Sequence, residues 1–594
     1  MVNSKAFLFT IVSLLTQSRA SGLTSPRCRC IPGDACWPRN PAWDALNATT
    51  AGQLIAVQPV AISCYPGPLF NNDICAQVNQ NWDLCAWQAE HPAGLCQEGE
   101  DLACRVITPP AAPGASCTLG NQPIYAINAT TAEHVSAGVQ FARKNNIRLV
   151  VRLTGHDFNR RSQGFGSLEI WLRYFRNGID FQETFRSNSG CTRTPWTGSA
   201  IKVRGGYQFS DLWTKAKQHN VVVVTGGAPS IGVIGGWLQG GGLGPASHHW
   251  GIGADQLLEA EVVLADGSIV TVNACQNTEV YRALRGGGPS TYAVVLSATL
   301  KAHRNVPRAI KHTLSFPFTP ENRSLYLDGL TTIYSSAPDL MDAGYALFGF
   351  YSAVNASLTG QGRSGYSHKA YVMDQTMEEA KATMAPVEAK LKALGVNYTI
   401  TWDTYDDFWS LFDTVAGTDN PGFPTTVSHL RFLDREALQA RPARLRNMID
   451  ISVGKPQDSS QNAFECMSAG QVWKDASDPL SSAHPTWRKS YCLHLVLRLW
   501  PDDASAEYVA AVKHDVTVVK GRAMDAVAPN TGTYMNYESN REDPDWKRNF
   551  YGSENYKRLL GIKRRHDPND VFYCPACVGS DRWAEDKNGR LCKV

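Results

Sequence analysis

Several features that would narrow a protein's role quickly are missing from this 594-residue chain. Beyond an apolar run from Ala6 to Leu15, no segment looks transmembrane, so no membrane is expected as a partner. Charge is nearly balanced: 57 Lys and Arg face 54 Asp and Glu, a net +3, and no basic stripe or charge block stands out. Neither nucleic acid nor an acidic membrane surface is therefore an expected partner. There are no internal repeats and no low-complexity tract. The most glycine-rich segment is not followed by Gly-Lys-Ser/Thr, which excludes a Walker loop, and it lacks the Gly-x-Gly-x-x-Gly of a dinucleotide fold. No second Cys/His pair at ligand spacing accompanies Cys574-Pro-Ala-Cys577, so a structural bridge is favoured there over a zinc or redox pair, and no metal site is expected.

What is present points to export. Lys5 precedes the short apolar run, and Ser18-Arg19-Ala20 offers small residues at signal-peptidase spacing, so residues 1–20 read as a signal peptide of a secreted protein. Asn47, Asn128, Asn322, Asn355 and Asn397 each start an Asn-x-Ser/Thr sequon, and all 16 cysteines lie downstream of the cut. Nine of them, Cys28 to Cys117, fall in the first segment, which suits a loop-rich region held by disulfides in an oxidising compartment. Cys492, in an apolar run, reads as a buried free thiol.

With 43% hydrophobic residues the chain can bury more than one core. A Cys-rich extension spans 21–117 and ends in the linker Pro109–Gly114. From Ala132 a helix pattern runs to Lys144, followed by a strand, Ile147–Leu153, that ends in Thr154-Gly155-His156. A strand over Val221–Val224 leads into the glycines, and residues on either side of Asp266-Gly267 read as a hairpin. Later come strand patterns at Ala343–Ser352 and Tyr491–Leu499, and a helix from Met377 to Leu394 stopping at Gly395.

The strongest motif is the stretch from Gly226 to Gly244, nine glycines in nineteen residues directly after a strand. Without Cβ atoms such a stretch takes positive φ angles and brings N–H groups close to an anion, for which a pyrophosphate is the natural guest. Interleaved Val, Ile, Trp and Leu argue for an ordered turn rather than a flexible loop. His156 sits just past a strand; Gly155 lets the backbone approach a ligand, and Arg161, Ser162 and Gly164 offer donors for phosphate. His248 and His249 lie past the glycines, where packing or hydrogen bonding is the simpler role.

Taken together, Thr154-Gly-His-Asp157 with Arg161-Ser162, Gly235-Gly236 with Gly240-Gly-Gly242, Ala254-Asp255-Gln256, Leu284-Arg-Gly-Gly-Gly288 and Tyr534-Met-Asn-Tyr537 resemble the berberine bridge enzyme-like branch of the vanillyl-alcohol-oxidase type FAD-linked oxidoreductases. Cys36-Trp37 with Trp43 is similar to that family's N-terminal extension, so the likeness covers almost the whole mature chain. It implies an α+β fold: an FAD-binding domain over 118–301, a substrate domain of antiparallel sheet covered by helices over 302–525, and a segment over 526–594 returning to the first domain. It implies FAD, held by a covalent bond from His156 alone, because Ala228 stands where many relatives have a second linking cysteine. The cofactor-binding residues it implies are Thr154, Gly155, His156, Asp157, Arg161, Ser162, Gly226, Gly227, Ala228, Ser230, Ile231, Gly232, Gly235, Gly236, Gly240, Gly241, Gly242 and Asn536, with Ile231 near the path of oxygen.

Tyr537 matches the family's catalytic tyrosine. In a strand-like segment it would share a face with Met535 and oppose Asn536, and it would need a lowered pKa to act as a base; Glu538 is the fallback. The implied activity is an oxidase: hydride transfer from a small-molecule alcohol, hemiacetal or amine to flavin, then reoxidation by dioxygen to hydrogen peroxide, in a secreted monomer. A dehydrogenase with another acceptor and a non-catalytic glycoprotein of the same fold are the alternatives.

Overall fold

Thr131 accepts a hydrogen bond from the His134 amide and starts the helix Ala132–Lys144, which has Glu133 in its first turn and Arg143 and Lys144 in its last. Val135, Gly138, Val139 and Ala142 recur at helical spacing as one buried stripe. The stripe lies close to a sheet: a Cβ on Gly138 would stand 2.3 Å from Ile170 Cδ1 and 2.7 Å from Ile127 Cδ1. The structure, a computed structural model, describes residues 28–96, 103–107, 114–187, 190–353, 364–419, 426–458, 460–501, 504–538 and 543–594. The expected signal peptide, residues 109–113 of the linker and the sequon at Asn355 lie outside them.

Ile127 and Ile170 belong to a four-stranded sheet ordered β1 (Leu54–Ala56), β2 (Tyr125–Asn128), β4 (Leu168–Trp171), β3 (Leu149–Arg152). β2, β4 and β3 are parallel and β1 is antiparallel. A second, antiparallel sheet runs β5 (Arg176–Gln182), β6 (Ala200–Gly205), β10 (Val294–Lys301), β8 (Leu257–Val263), β9 (Ile269–Asn273). β8 and β9 are the hairpin expected around Asp266-Gly267. The strand expected over Val221–Val224 is cut short: β7 (Val221–Val222) pairs with β11 (His303–Arg304) and the chain then turns into the glycines.

The third sheet has seven antiparallel strands in the order β15 (Thr399–Tyr405), β12 (Ala309–Phe316), β14 (Gly365–Met373), β13 (Ala346–Ser352), β17 (Ser460–Cys466), β18 (Ser490–Leu499), β16 (Thr426–Asp434). Alternation along each strand gives it two apolar faces. Ile310, Leu347, Ala370, Phe464 and Val496 share a core with residues of the helices Arg323–Asp342, Met377–Leu394 and Pro442–Val453. Ala346, Tyr371, Leu430 and Leu493 join the core that holds the first two sheets. The helix Met377–Leu394 has its expected ends, with a capping box between Thr376 and Glu379 and Gly395 at φ +79°.

Every cysteine is in a disulfide. Four bridges close within the extension, Cys30–Cys36, Cys64–Cys75, Cys85–Cys96 and Cys104–Cys117. The ninth cysteine there, Cys28, reaches Cys592. Cys574 and Cys577 bridge each other as expected. Cys492 is not a free thiol: the register of β17 against β18, which sets Glu465 opposite Leu493, places Cys466 beside it and the two are bonded.

Candidate active site

β3 ends at Arg152, and the next residues form one wall of a cleft enclosing about 1010 Å³, its open mouth included. Thr154, Gly155, His156, Asp157, Arg161 and Ser162 line it, facing Ile231, Gly232, Gly235 and Gly236 of the glycine-rich turn and Tyr534, Asn536 and Tyr537 of the C-terminal segment. Three separate stretches of sequence thus meet at one place.

The first stretch is shaped by Asp157, whose carboxylate accepts from the amides of Asn159 (3.1 Å), Ser162 (3.0 Å) and Arg161. The Arg161 and Ser162 N–H groups, read from sequence as phosphate donors, are therefore spent on the turn, and the Gly164 N–H goes to Asn121 O. The Arg161 guanidinium is held by Asn536 Oδ1 (3.1 Å) and Met535 O (2.8 Å). Among the described residues, its Nε and the Gln239 Oε1 are buried with no hydrogen-bond partner.

The glycine-rich turn divides by role. Gly232 leaves room for Leu153, whose Cδ2 would lie 1.8 Å from a Cβ there. Gly240, Gly241 and Gly242 do not line the cleft but pack behind it: a Cβ on Gly240 would be 2.4 Å from Asn536 Oδ1, Gly241 abuts Trp487 and Gly242 abuts Gly253. Gly226, Gly227 and Ala228 lie outside the lining as well, and Gly227 O accepts from Gly417 N. Ser230 is buried, with Oγ 2.6 Å from His156 Nε2. The sulfur of Cys96 lies 3.3 Å from His156 Nδ1 and 3.4 Å from Nε2. Burial pushes the His156 pKa down to about 4 against the opposing charge of Asp419, so the ring is neutral. Cys85, Cys96 and His156 have metal-binding spacing, but the two sulfurs are bonded to each other.

The third stretch differs from its expected form. Tyr534–Glu538 is a turn, not a strand: Tyr537 N and Glu538 N both donate to Tyr534 O (3.1 Å each). Asn536 and Tyr537 consequently line the same cleft, while Met535 packs into a separate core with Tyr551 and Leu559. Glu538 points away, fully buried, accepting from Leu430 N (2.8 Å) and standing 3.4 Å from His429 Nδ1, which removes it as the fallback base. The Tyr537 phenol is pushed well above its ordinary pKa, by burial first and then by the charges of Glu465 and Tyr534, opposite to the lowering that a lone phenolic base requires.

Glu465, missed in the sequence, is the buried carboxyl near this turn. It follows Phe464 in β17 and so projects from the sheet face opposite the helices. Burial raises its pKa to about 8, and no hydrogen-bond partner is found for it among the described residues. A carboxylate in the apolar alternation Ala463-Phe464-Glu465-Cys466 was the available signal. His248 Nδ1 donates to Ser468 O (2.6 Å) and His249 is pushed down to about 3 by burial; neither lines the cleft.

A cleft walled by the end of β3, the glycine-rich turn, β10 and the Tyr534–Glu538 turn, with a neutral histidine and a phenol on its walls, defines a flavin-dependent oxidoreductase once the comparisons are added. Residues 123–273 match the model of an FAD binding domain, and residues 533–579 that of the berberine and berberine-like segment. The chain is similar to the FAD-linked oxidoreductase hmp9 of Hypomyces subiculosus, 42% identical over 579 residues, covering 96% of this chain and 91% of that protein. The VAO-type flavoprotein oxidase VAO615 of Thermothelomyces thermophilus is 32% identical, with 97% and 98% covered. The crystal structure of the VAO-type flavoprotein MtVAO713 from Myceliophthora thermophila C1 matches with a TM-score of 0.90 at 41% identity, over 96% of this chain and all of that one. The chain belongs to the VAO-type, berberine-like FAD-linked oxidoreductases and is an enzyme of α+β fold.

The cleft fits FAD. Gly155 at φ +79° brings the main chain to the cleft wall, Gly232 keeps the facing wall thin, and Arg161 supplies buried positive charge with an unpartnered Nε.

Proposed function

We propose that this enzyme is a secreted oxidase that removes a hydride from a C–H bond of a small alcohol, hemiacetal or amine, holds FAD by a single covalent bond from His156, and returns the electrons to dioxygen as hydrogen peroxide. The observation that carries the reading is that one cleft is lined by both His156 and Tyr537, with the buried Glu465 close enough to bias the phenol. When bound, FAD supplies the two-electron acceptor. Residues 118–301 with 526–594 would hold it and residues 302–525 would roof it. Ala228 has no sulfur to offer, which supports one link rather than two.

Tyr537 takes the proton of the substrate hydroxyl, and Glu465, which makes no hydrogen bond to it among the described residues, would receive the phenol's own proton only through an intervening water. A phenol above its ordinary pKa is a poor base alone, and Glu465, with a pKa of about 8, is mostly protonated at neutrality and free to accept a proton only above it. Eight disulfides and the sequon pattern support passage through an oxidising compartment. Among the described residues no helix is long and apolar enough to cross a membrane. The Asn128 sequon lies in β2 with its amide bonded to Gln53, so it is a poor glycan acceptor, unlike an open loop site.

The test is an absorbance spectrum of native and acid-denatured protein, followed by anaerobic screening of sugars, alcohols and alkaloids for bleaching and by peroxide assay. Flavin retained after denaturation and bleached by a substrate is expected. Complete release by acid removes the covalent link, and a reduced flavin that passes electrons to a dye but not to oxygen makes the enzyme a dehydrogenase. Tyr537→Phe should slow flavin reduction roughly 10²–10⁴-fold with loading unchanged. Reduction should also rise with pH through about 8, where Glu465 loses its proton, and Glu465→Gln should flatten that limb.

A further inference from the structure

We infer that His429 is a positioning residue for Tyr537: through the Glu538 carboxylate it holds the Tyr534–Glu538 turn against the edge of the seven-stranded sheet. The inference rests on the role proposed for Tyr537 above. β16 ends that sheet, so the N–H groups on its outer side have no further strand to pair with, and where the edge is buried they need other acceptors. The C-terminal segment supplies them. Phe432 N donates to Gly532 O (3.0 Å) and Leu430 N to Glu538 Oε2 (2.8 Å), while Ser428 Oγ donates to Tyr537 O (2.7 Å). A side-chain carboxylate thus stands in for a neighbouring strand at the place where the turn carries Tyr537 into the cleft.

That carboxylate is fully buried, and a buried charge is tolerated only beside a partner of opposite sign. His429 is such a partner: its Nδ1 stands 3.4 Å from Glu538 Oε1, and its ring is buried too. Burial opposes the imidazolium, but the charge of Glu538, then those of Asp525 on the helix Gly521–Val527 and Asp543 ahead of the helix Trp546–Tyr551, outweigh it and raise the His429 pKa above its ordinary value. Arg431, two residues along β16, turns its guanidinium to Asp525 (2.9 Å) and Asn549 (3.1 Å), and His494 of β18 is pushed down to about 3 and stays neutral. Because the folded value is raised, the hold is complete below the unfolded pKa of about 6.5 and is lost as the pH rises through the raised value. Tyr537 should therefore loosen on the alkaline side.

The test uses the full-length, FAD-loaded enzyme and reads amide hydrogen exchange, corrected for its intrinsic pH dependence, at Leu430, Tyr537 and Glu538, with the helix Ala132–Lys144 as control. In the wild type, protection of these three amides should fall roughly tenfold between about pH 6 and about pH 9 while the control does not change. His429→Gln should lack that step and show the low protection throughout, because Glu538 keeps its charge and loses its cation. Adding Glu538→Gln should restore most of the protection and leave it independent of pH, since an amide still accepts from Leu430 N and needs no opposite charge. Wild-type protection in His429→Gln overturns the inference, as does a double variant no better protected than His429→Gln. If His429→Gln does not fold, wild-type protection that stays level across this pH range overturns it alone. Turnover enters none of these measurements: a Tyr537→Phe enzyme that reduces flavin at the wild-type rate removes the catalytic role of Tyr537 and leaves the exchange results where they are.

Discussion

The N-terminal extension and the seven-stranded sheet are held together by different means. Between Cys30 and Cys117 four disulfides close short loops, with 6, 11, 11 and 13 residues separating the partners, around a small core that includes Val78 and Tyr65. The sheet and its helices bury a far larger apolar core with one bridge, Cys466–Cys492, and set uncharged histidines within it. His312 and His368 share a hydrogen bond of 2.9 Å, and His494 meets the Tyr334 hydroxyl at 2.6 Å. A small core needs covalent closure to offset chain entropy, whereas a large one can carry polar groups provided they stay neutral.

Acid should strain that comparison most. Burial pushes His312 and His494 down to about 3, and His368 lower than its ordinary value too. Their folded pKa lies below the unfolded 6.5, so the stability they allow is present above 6.5 and is lost as the pH falls from there toward 3, on the order of a few kcal/mol for each group. His429, held charged beside Glu538, runs the other way. The sheet should lose its near-ultraviolet circular dichroism on acidification while hydrogen exchange in the extension, whose one histidine is His91, changes less.

Reductant should do the reverse. Each extension bridge contributes roughly 2–4 kcal/mol, with these short loops near the low end. Mild thiol treatment followed by limited proteolysis should therefore cut residues 28–117 first. Finding most of the nine cysteines reactive in unfolded, unreduced protein would remove the bridges altogether. The smallest expected effect is local: Thr376→Ala breaks the capping box of the helix Met377–Leu394 and should cost about 1 kcal/mol in a denaturant titration without moving the reductant response.

The same division of local from non-local governs what could be read in advance. The helices Ala132–Lys144 and Met377–Leu394 kept their expected ends because stripe and cap lie within one stretch of chain. The clustering of Thr154–Ser162 with Gly232–Gly236 was legible from glycine chemistry and from family resemblance. Which glycines face the cleft was not, since Gly240–Gly242 are set by Trp487, Gly253 and Asn536, all distant in sequence. Cys492 was misread for the same reason, its partner being a matter of strand register. The turn at Tyr534 was misread because nothing nearby marks it; Glu465 stands out in its apolar strand, but that it acts on Tyr537 depends on the sheet bringing β17 toward that turn.

The bridge from Cys28 to Cys592 spans 564 positions and turns nearly the whole described chain into a covalent ring. A single peptide-bond cut anywhere between those cysteines opens the ring without releasing a fragment. Such nicked molecules would run as one band until the bridges are reduced, so a protease could score a surface loop many times before any part of the cofactor site drifts away.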